Sequence, residues 1–234
     1  MGEILLEVKN IKKQFGGFKA LDGVNLTLNR GEVIGLVGPN GSGKTTLVNI
    51  ISGVYKPSEG EVTLEGKKVS GLKPHKVAAA GINRSFQIPR PFKDLTVLEN
   101  LLVAKHNSGA NSIDLAEIMS TTHLDQLKHR KANSLTAAQQ KRLDLARALA
   151  TNPQVLLVDE LGAGLNPAEL DEIREMLKDL SDRGMAMLVV EHLLGFLSKV
   201  TNKVIVLDAG REIFAGSLED AVQDPLVIEV FLGG

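Results

Sequence analysis

The stretch Gly38-Pro39-Asn40-Gly41-Ser42-Gly43-Lys44-Thr45-Thr46 follows the apolar run Val33-Ile34-Gly35-Leu36-Val37 and leads into Leu47-Val48-Asn49-Ile50-Ile51. Strand, glycine-rich turn and helix in that order predict an α/β domain built around an anion-binding loop of the form G-x-x-x-x-G-K-S/T. Gly38, Gly41 and Gly43 allow backbone angles that other residues avoid and let N–H groups approach an anion, and the helix start adds the positive end of its dipole. In such a loop Lys44 is expected to reach the β- and γ-oxygens of a nucleoside triphosphate, and Thr45 to offer its hydroxyl to Mg²⁺.

A loop of this kind needs a carboxylate at the end of a neighbouring strand to hold the metal ion through water. Val155-Leu156-Leu157-Val158-Asp159 supplies one, and Glu160, one step further out, is placed to accept a proton from an attacking water. A second short apolar run, Met187-Leu188-Val189-Val190, has the character of a buried parallel strand. Between the two runs lies a well-signed helix. Asn166 can cap it, Pro167 suits its first position, Glu169 completes a capping box, and Leu170, Ile173, Leu177 and Leu180 share one face.

Towards the start of the chain, Leu5, Val8 and Ile11, then Leu21, Val24, Leu26 and Leu28, are separated by Phe15-Gly16-Gly17 and predict two antiparallel strands. A further strand is expected at Glu61–Leu64, followed by a turn at Glu65-Gly66. From Val97 to Leu149 the pattern is mostly helical, and His106 to Ser112 is its loop-richest part. The reading is one domain over 1–234: a core of 1–95 and 135–234 with an antiparallel β part, and a short helical subdomain at about 96–134. The tail from Val204 reads as two short strands and two short helices.

Composition narrows the chemistry. With 27 Lys and Arg against 28 Asp and Glu, the net charge of −1 gives no reason to expect nucleic acid as a partner. The absence of cysteine excludes disulfides, thiolate metal sites and cysteine nucleophiles. Met1 to Lys13 alternates charged and apolar residues, unlike a signal core, and no stretch has the roughly 18 apolar residues of a membrane span. The expectation is a soluble protein that would reach a membrane only by docking onto another chain.

Further motifs fall in a recognisable order: Arg84-Ser85-Phe86-Gln87, Leu135-Thr136-Ala137-Ala138-Gln139, Asp159-Glu160, Ala163-Gly164-Leu165-Asn166, then His192. From Phe15 to the last helix this order resembles the ATP-binding subunits of ABC transporters. The resemblance implies an α/β P-loop NTPase core with an antiparallel β subdomain and a short inserted helical subdomain. By residues alone Gln87 reads as a surface amide, His192 as a strand-end histidine and Phe15 as a core aromatic. The resemblance makes Gln87 a metal and water ligand that moves when the metal leaves, His192 a donor to the γ-phosphate, and Phe15 the residue stacking on adenine, with Phe18 as the alternative. It also makes Thr136, Ala137, Ala138 and Gln139 the signature that closes on ATP bound to the partner copy's Gly38–Thr46 loop. ATP and Mg²⁺ are thus the expected cofactors. The expected partners are a second copy or a paralogous ATPase, together with membrane permease subunits at the inner face of the cell membrane.

Two departures from the family pattern stand out. Its usual signature has two glycines where this chain has Ala137 and Ala138, which predicts weaker or slower ATP-driven closure. Proline commonly follows the glutamate, and here Leu161 stands in that place, which frees the backbone beside Glu160. Arg84 to Phe92 with Leu95 to Asn100, Phe15-Gly16-Gly17, Gly164 to Pro167, Val190-Glu191-His192 and the ending Val227 to Gly233 are similar to branched-chain amino acid importers of the LivG type. In that subgroup the permease is expected to dock near Pro89 to Leu95. Urea or amide importers, a lipopolysaccharide exporter and a weakly active soluble scaffold are the other readings.

Overall fold

The computed structural model describes residues 3–85, 89–108, 113–192, 194–201 and 203–232. In chain order the elements begin with a hairpin of β1 (Ile4–Phe15) and β2 (Phe18–Asn29), then β3 (Val33–Val37) and α1 (Lys44–Ile51). Next come β4 (Glu59–Leu64), β5 (Lys67–Lys68), α2 (Pro74–Ala80) and β6 (Ile82–Arg84). Helices α3 (Val97–Ser108), α4 (Leu115–Thr121) and α5 (Ala137–Leu149) follow, then β7 (Val155–Asp159), α6 (Pro167–Asp182) and β8 (Ala186–Val190). The chain continues through α7 (Leu194–Leu197), β9 (Lys203–Asp208), β10 (Arg211–Ser217), α8 (Leu218–Ala221) and α9 (Pro225–Leu232).

Two sheets form. One is antiparallel, in the order β2-β1-β4-β5, and the other has six strands in the order β10-β9-β3-β8-β7-β6. Within the second, β9, β3, β8, β7 and β6 run parallel, and β10 adds an antiparallel edge. Every residue of β3, β7 and β8 is buried, as continuous apolar runs covered on both faces require. The C-terminal ends of β3, β7 and β8 therefore open side by side, and such an edge is where open α/β sheets bind ligands.

One apolar cluster, including Ile34, Leu36, Leu47, Ile51, Val155 and Leu188, lies between the two sheets and around α1. The other face of the parallel sheet packs Leu143, Leu156, Ile173, Leu177 and Met187 with α5 and α6. The helix signals in the sequence act as expected. Asn166 accepts from the Glu169 N–H at 3.0 Å while the Glu169 carboxylate accepts from the Asn166 N–H at 3.0 Å. Thr136 and Gln139 make the same reciprocal box at the start of α5. Helix α2 is an element that the sequence reading leaves out, although Pro74 at its start and the left-handed Gly81 at its end are both helix punctuation.

Candidate active site

The phosphate loop connects β3 to α1, and close packing dictates its glycines. A Cβ on Gly38 would lie 2.1 Å from the Leu207 carbonyl oxygen, and one on Gly43 2.8 Å from that of Ala20. Gly43, at φ 104°, begins α1 with no side-chain cap. The first N–H groups of α1 thus lack the side-chain acceptor that Asn166 supplies to α6, and they face the loop as an anion cradle. Beneath the loop, the Ser42 hydroxyl is buried without a hydrogen-bond partner.

A cavity of about 220 Å³ is lined by Phe18, Ala20, Asn40, Gly41, Gly43, Lys44, Thr45, Thr46 and Glu160. It brings residues far apart in sequence to one place, the loop from β3 and the glutamate from the end of β7. Lys44 is buried, and its ammonium donates to the Gly38 and Pro39 carbonyls at 2.8 and 2.9 Å. Burial pushes its pKa below the ordinary lysine value, against the opposing pull of Glu160 and Asp159. Larger cavities exist, including one of about 370 Å³ among Leu5, Arg30, Leu149, Leu180 and Met185, but that one contains none of the expected site residues.

Asp159 is buried and ion-paired to Arg84, whose guanidinium stands 2.7 Å from its Oδ2. Burial raises the Asp159 pKa in spite of that partner. Arg84 also donates to Asn49 Oδ1 at 2.7 Å, so it ties the end of β6 to both α1 and β7. Sequence reasoning singled out Asp159 and passed over Arg84. The only available signal was an arginine as the last residue of the strand, directly before Ser85.

Glu160 is half-buried, with φ 46°, and its N–H donates to the Val190 carbonyl at 3.0 Å. His192 is half-exposed just past β8, its Nδ1 3.9 Å from Glu191 Oε2. Phe15 does not line the cavity; it packs edge-on against Tyr55 with ring centroids 5.3 Å apart, and Phe18 is the aromatic on the cavity wall. Gln87 falls outside the described residues. Thr136, Ala137, Ala138 and Gln139 stand at the start of α5 and line none of this cavity. Ala138 is buried and Ala137 exposed, so only one of the two added methyls faces outward.

Whether the site suits Mg²⁺ can be read from its donors. Among the described residues no three His, Cys, Asp or Glu side chains cluster into a cage. One exposed hydroxyl, Thr45, lies on the cavity and one buried carboxylate, Asp159, lies nearby, the sparse oxygen set that suits an ion completed by substrate oxygens and water.

A buried parallel sheet with a lysine-bearing phosphate loop at its C-terminal edge and carboxylates on an adjacent strand defines a P-loop nucleotide triphosphatase. Residues 21–163 match the family described as "ABC transporter", and the chain belongs to that family as an ATP-binding, ATP-hydrolysing cassette. It is 35% identical over 254 aligned positions to the high-affinity branched-chain amino acid transport ATP-binding protein BraF of Pseudomonas aeruginosa, covering 100% of this chain and 99% of that one. The ADP conformation of the ATP-binding cassette MJ1267 superimposes with a TM-score of 0.89 at 34% identity and 99% coverage of both chains. A dimeric post-hydrolysis cassette, MJ0796 bound to ADP and Pi, gives a TM-score of 0.81 at 30% identity, covering 92% of this chain and 99% of that one.

Proposed function

We propose that this chain is the ATPase of an importer for branched-chain amino acids, working as a dimer against membrane permease subunits. Lys44 and Thr45 from the start of α1 and Glu160 from just past β7, brought together on one cavity, carry this reading. The full-length likeness to BraF supports the choice of solute. Among the described residues no helix is long and apolar enough to cross a membrane, in keeping with a subunit that depends on a permease to reach one.

In this reading the uncapped start of α1 receives the phosphates, and Lys44 trades its two loop carbonyls for phosphate oxygens. Thr45, Gln87 and, through water, Asp159 would hold Mg²⁺. That ion, when bound, offsets the charge of the β- and γ-phosphates. Glu160 orients the attacking water and accepts its proton, while His192 donates a hydrogen bond to the γ-phosphate. Phe18, or Phe15 across the hairpin turn, stacks on the adenine. The partner's Thr136 to Gln139 close the site from outside, as the N–H groups of a capped helix start can do.

The expected permease contact lies near Pro89 to Leu95, and side chains of α3 and α5 tie that segment down. Buried Asn100 accepts from the Phe92 N–H at 2.9 Å and donates to the Thr96 carbonyl at 2.9 Å, and Arg147 donates to the Arg90 carbonyl at 2.9 Å. Co-expression with neighbouring membrane subunits and reconstitution in vesicles tests the whole reading. ATP turnover should fall roughly 10²–10⁴-fold in Glu160→Gln and be abolished in Lys44→Ala, and labelled leucine, isoleucine or valine should accumulate. Equal turnover by all three proteins would remove Glu160 and Lys44 from the chemistry. Uptake of urea in place of the amino acids would overturn the solute.

A further inference from the structure

Six non-glycine residues among those described have positive φ, and five of them, Asn10, Glu65, His123, Asn152 and Ala209, lie in exposed positions. Glu160 is the exception, half-buried at the end of a buried strand. A left-handed backbone at a residue with a Cβ persists only where its surroundings over-determine it. Leu161, the next residue, has no ring to fix its own φ. Some other feature must hold the turn.

Two buried side chains meet the loop behind Glu160. From α5, Lys141 reaches across with its ammonium 2.9 Å from the Leu161 carbonyl oxygen and 2.5 Å from that of Ala163. From the turn after β8, Glu191 accepts from the Gly162 N–H at 3.1 Å. Both are almost wholly removed from solvent, at 7% and 1% exposure. Burial lowers the lysine pKa and raises that of the glutamate, so neither is a comfortable charge kept merely for stability. The fit is close, since a Cβ on Gly162 would lie 2.8 Å from Leu170 Cδ2 and 3.3 Å from Glu191 Oε1. The donor comes from the helix that begins with the signature, and the acceptor adjoins His192.

We propose that Lys141 and Glu191 are positioning residues that hold Glu160 by clamping the loop behind it from opposite sides. The clamp joins the signature helix and the histidine turn to the backbone of the water-activating glutamate, and it rests on the reading of Glu160 as the base. With the clamp open, Glu160 relaxes out of the left-handed region, nucleotide still binds to the phosphate loop, and the chemical step slows.

Hydrogen exchange of the full chain reads the clamp without any turnover. The Glu160, Gly162, Ala163 and Leu165 amides all donate within the described structure. In Lys141→Met, which keeps the unbranched stem and removes the ammonium, their exchange should rise about tenfold or more while β3 and β8 stay protected. In the permease complex the same variant should lower kcat by about tenfold or more and leave KM for ATP within about twofold, and Lys141→Arg should restore part of both readouts. Glu191→Ala opens the loop from the other side and decides the matter if Lys141→Met does not fold. Unchanged exchange at these four amides in folded Lys141→Met or Glu191→Ala overturns the clamp. Wild-type turnover by Glu160→Gln would overturn the base assignment instead, and the exchange result would still stand.

Discussion

The two sheets use charge in opposite ways. Across the antiparallel sheet the ion pairs are exposed: Lys12 with Glu59 at 2.7 Å and 37% and 62% exposure, and Arg30 with Glu3 and Glu65. At the C-terminal edge of the parallel sheet Lys44, Asp159, Lys141 and Glu191 are buried, and Arg84 retains only 11% exposure. Exposed pairs are screened and add little, whereas buried charges carry a desolvation penalty that only good geometry offsets. The antiparallel sheet is thus stabilised by its apolar face, with Leu6, Val8, Ile11, Val24, Leu28 and Val62 in the shared core. The parallel edge accepts the penalty because fixed charges there hold loops in place.

Breaking the Arg84–Asp159 pair should show the contrast at its largest. Arg84→Met leaves a buried carboxylate without its cation and should lower unfolding free energy by about 3–5 kcal/mol in urea titrations at pH 7. The pH dependence has a definite sign. Burial raises the folded-state pKa of Asp159, so the native state binds more protons than the unfolded chain just above the ordinary carboxylate range, and stability falls as pH rises through that window. The deficit of Arg84→Met should accordingly shrink as the pH is lowered towards that range, and Arg84→Met with Asp159→Asn should recover much of it at pH 7. A deficit that stays constant with pH would mean that Arg84 acts through Asn49 and its other contacts.

A smaller effect separates the two alanines of the signature. Ala138 is buried, so Ala138→Gly removes a packed methyl from the first turn of α5 and should lower stability by about 1 kcal/mol. Ala137 is exposed, and Ala137→Gly should cost less stability while tightening ATP-induced dimerisation in a Glu160→Gln background. Sedimentation with ATP and EDTA, compared between the variants, checks this. Dimer affinity unchanged in Ala137→Gly would remove the methyl as the cause of weak closure.

What could be read from sequence was local. The phosphate loop, the capping boxes of Thr136 and Asn166 and the buried strands β7 and β8 each depend on residues within a few positions of one another. What could not be read was made by the sheet order. Arg84 meets Asp159 across 75 residues and Lys141 meets Leu161 across 20, because β6 lies beside β7 and α5 packs behind it. Glu191, the neighbour of His192, becomes informative only once Gly162 is seen to bond to it. Phe15 and Phe18 face each other across a two-residue turn, and no pattern in the chain distinguishes which of them reaches the cavity.

The smallest effect belongs to the exposed sheet. Lys12 and Glu59 are in register on neighbouring strands, and the hydrogen bond that the Lys12 ammonium donates to the Glu59 carboxylate raises the Lys12 pKa. A raised lysine contributes its stability below the ordinary lysine pKa and loses it as pH rises through the folded value, so the pair is fully formed at pH 7. Yet the charges are open to water and salt, and holding both side chains in one geometry takes up rotamer freedom. Lys12→Gln and Glu59→Gln should each leave the melting midpoint within about 1 °C of the parent, and the small remainder should vanish in molar salt. A shift as large as that of Arg84→Met would show that charge pairs on the antiparallel face also bear on the fold, and the division of roles between the two sheets would have to be abandoned.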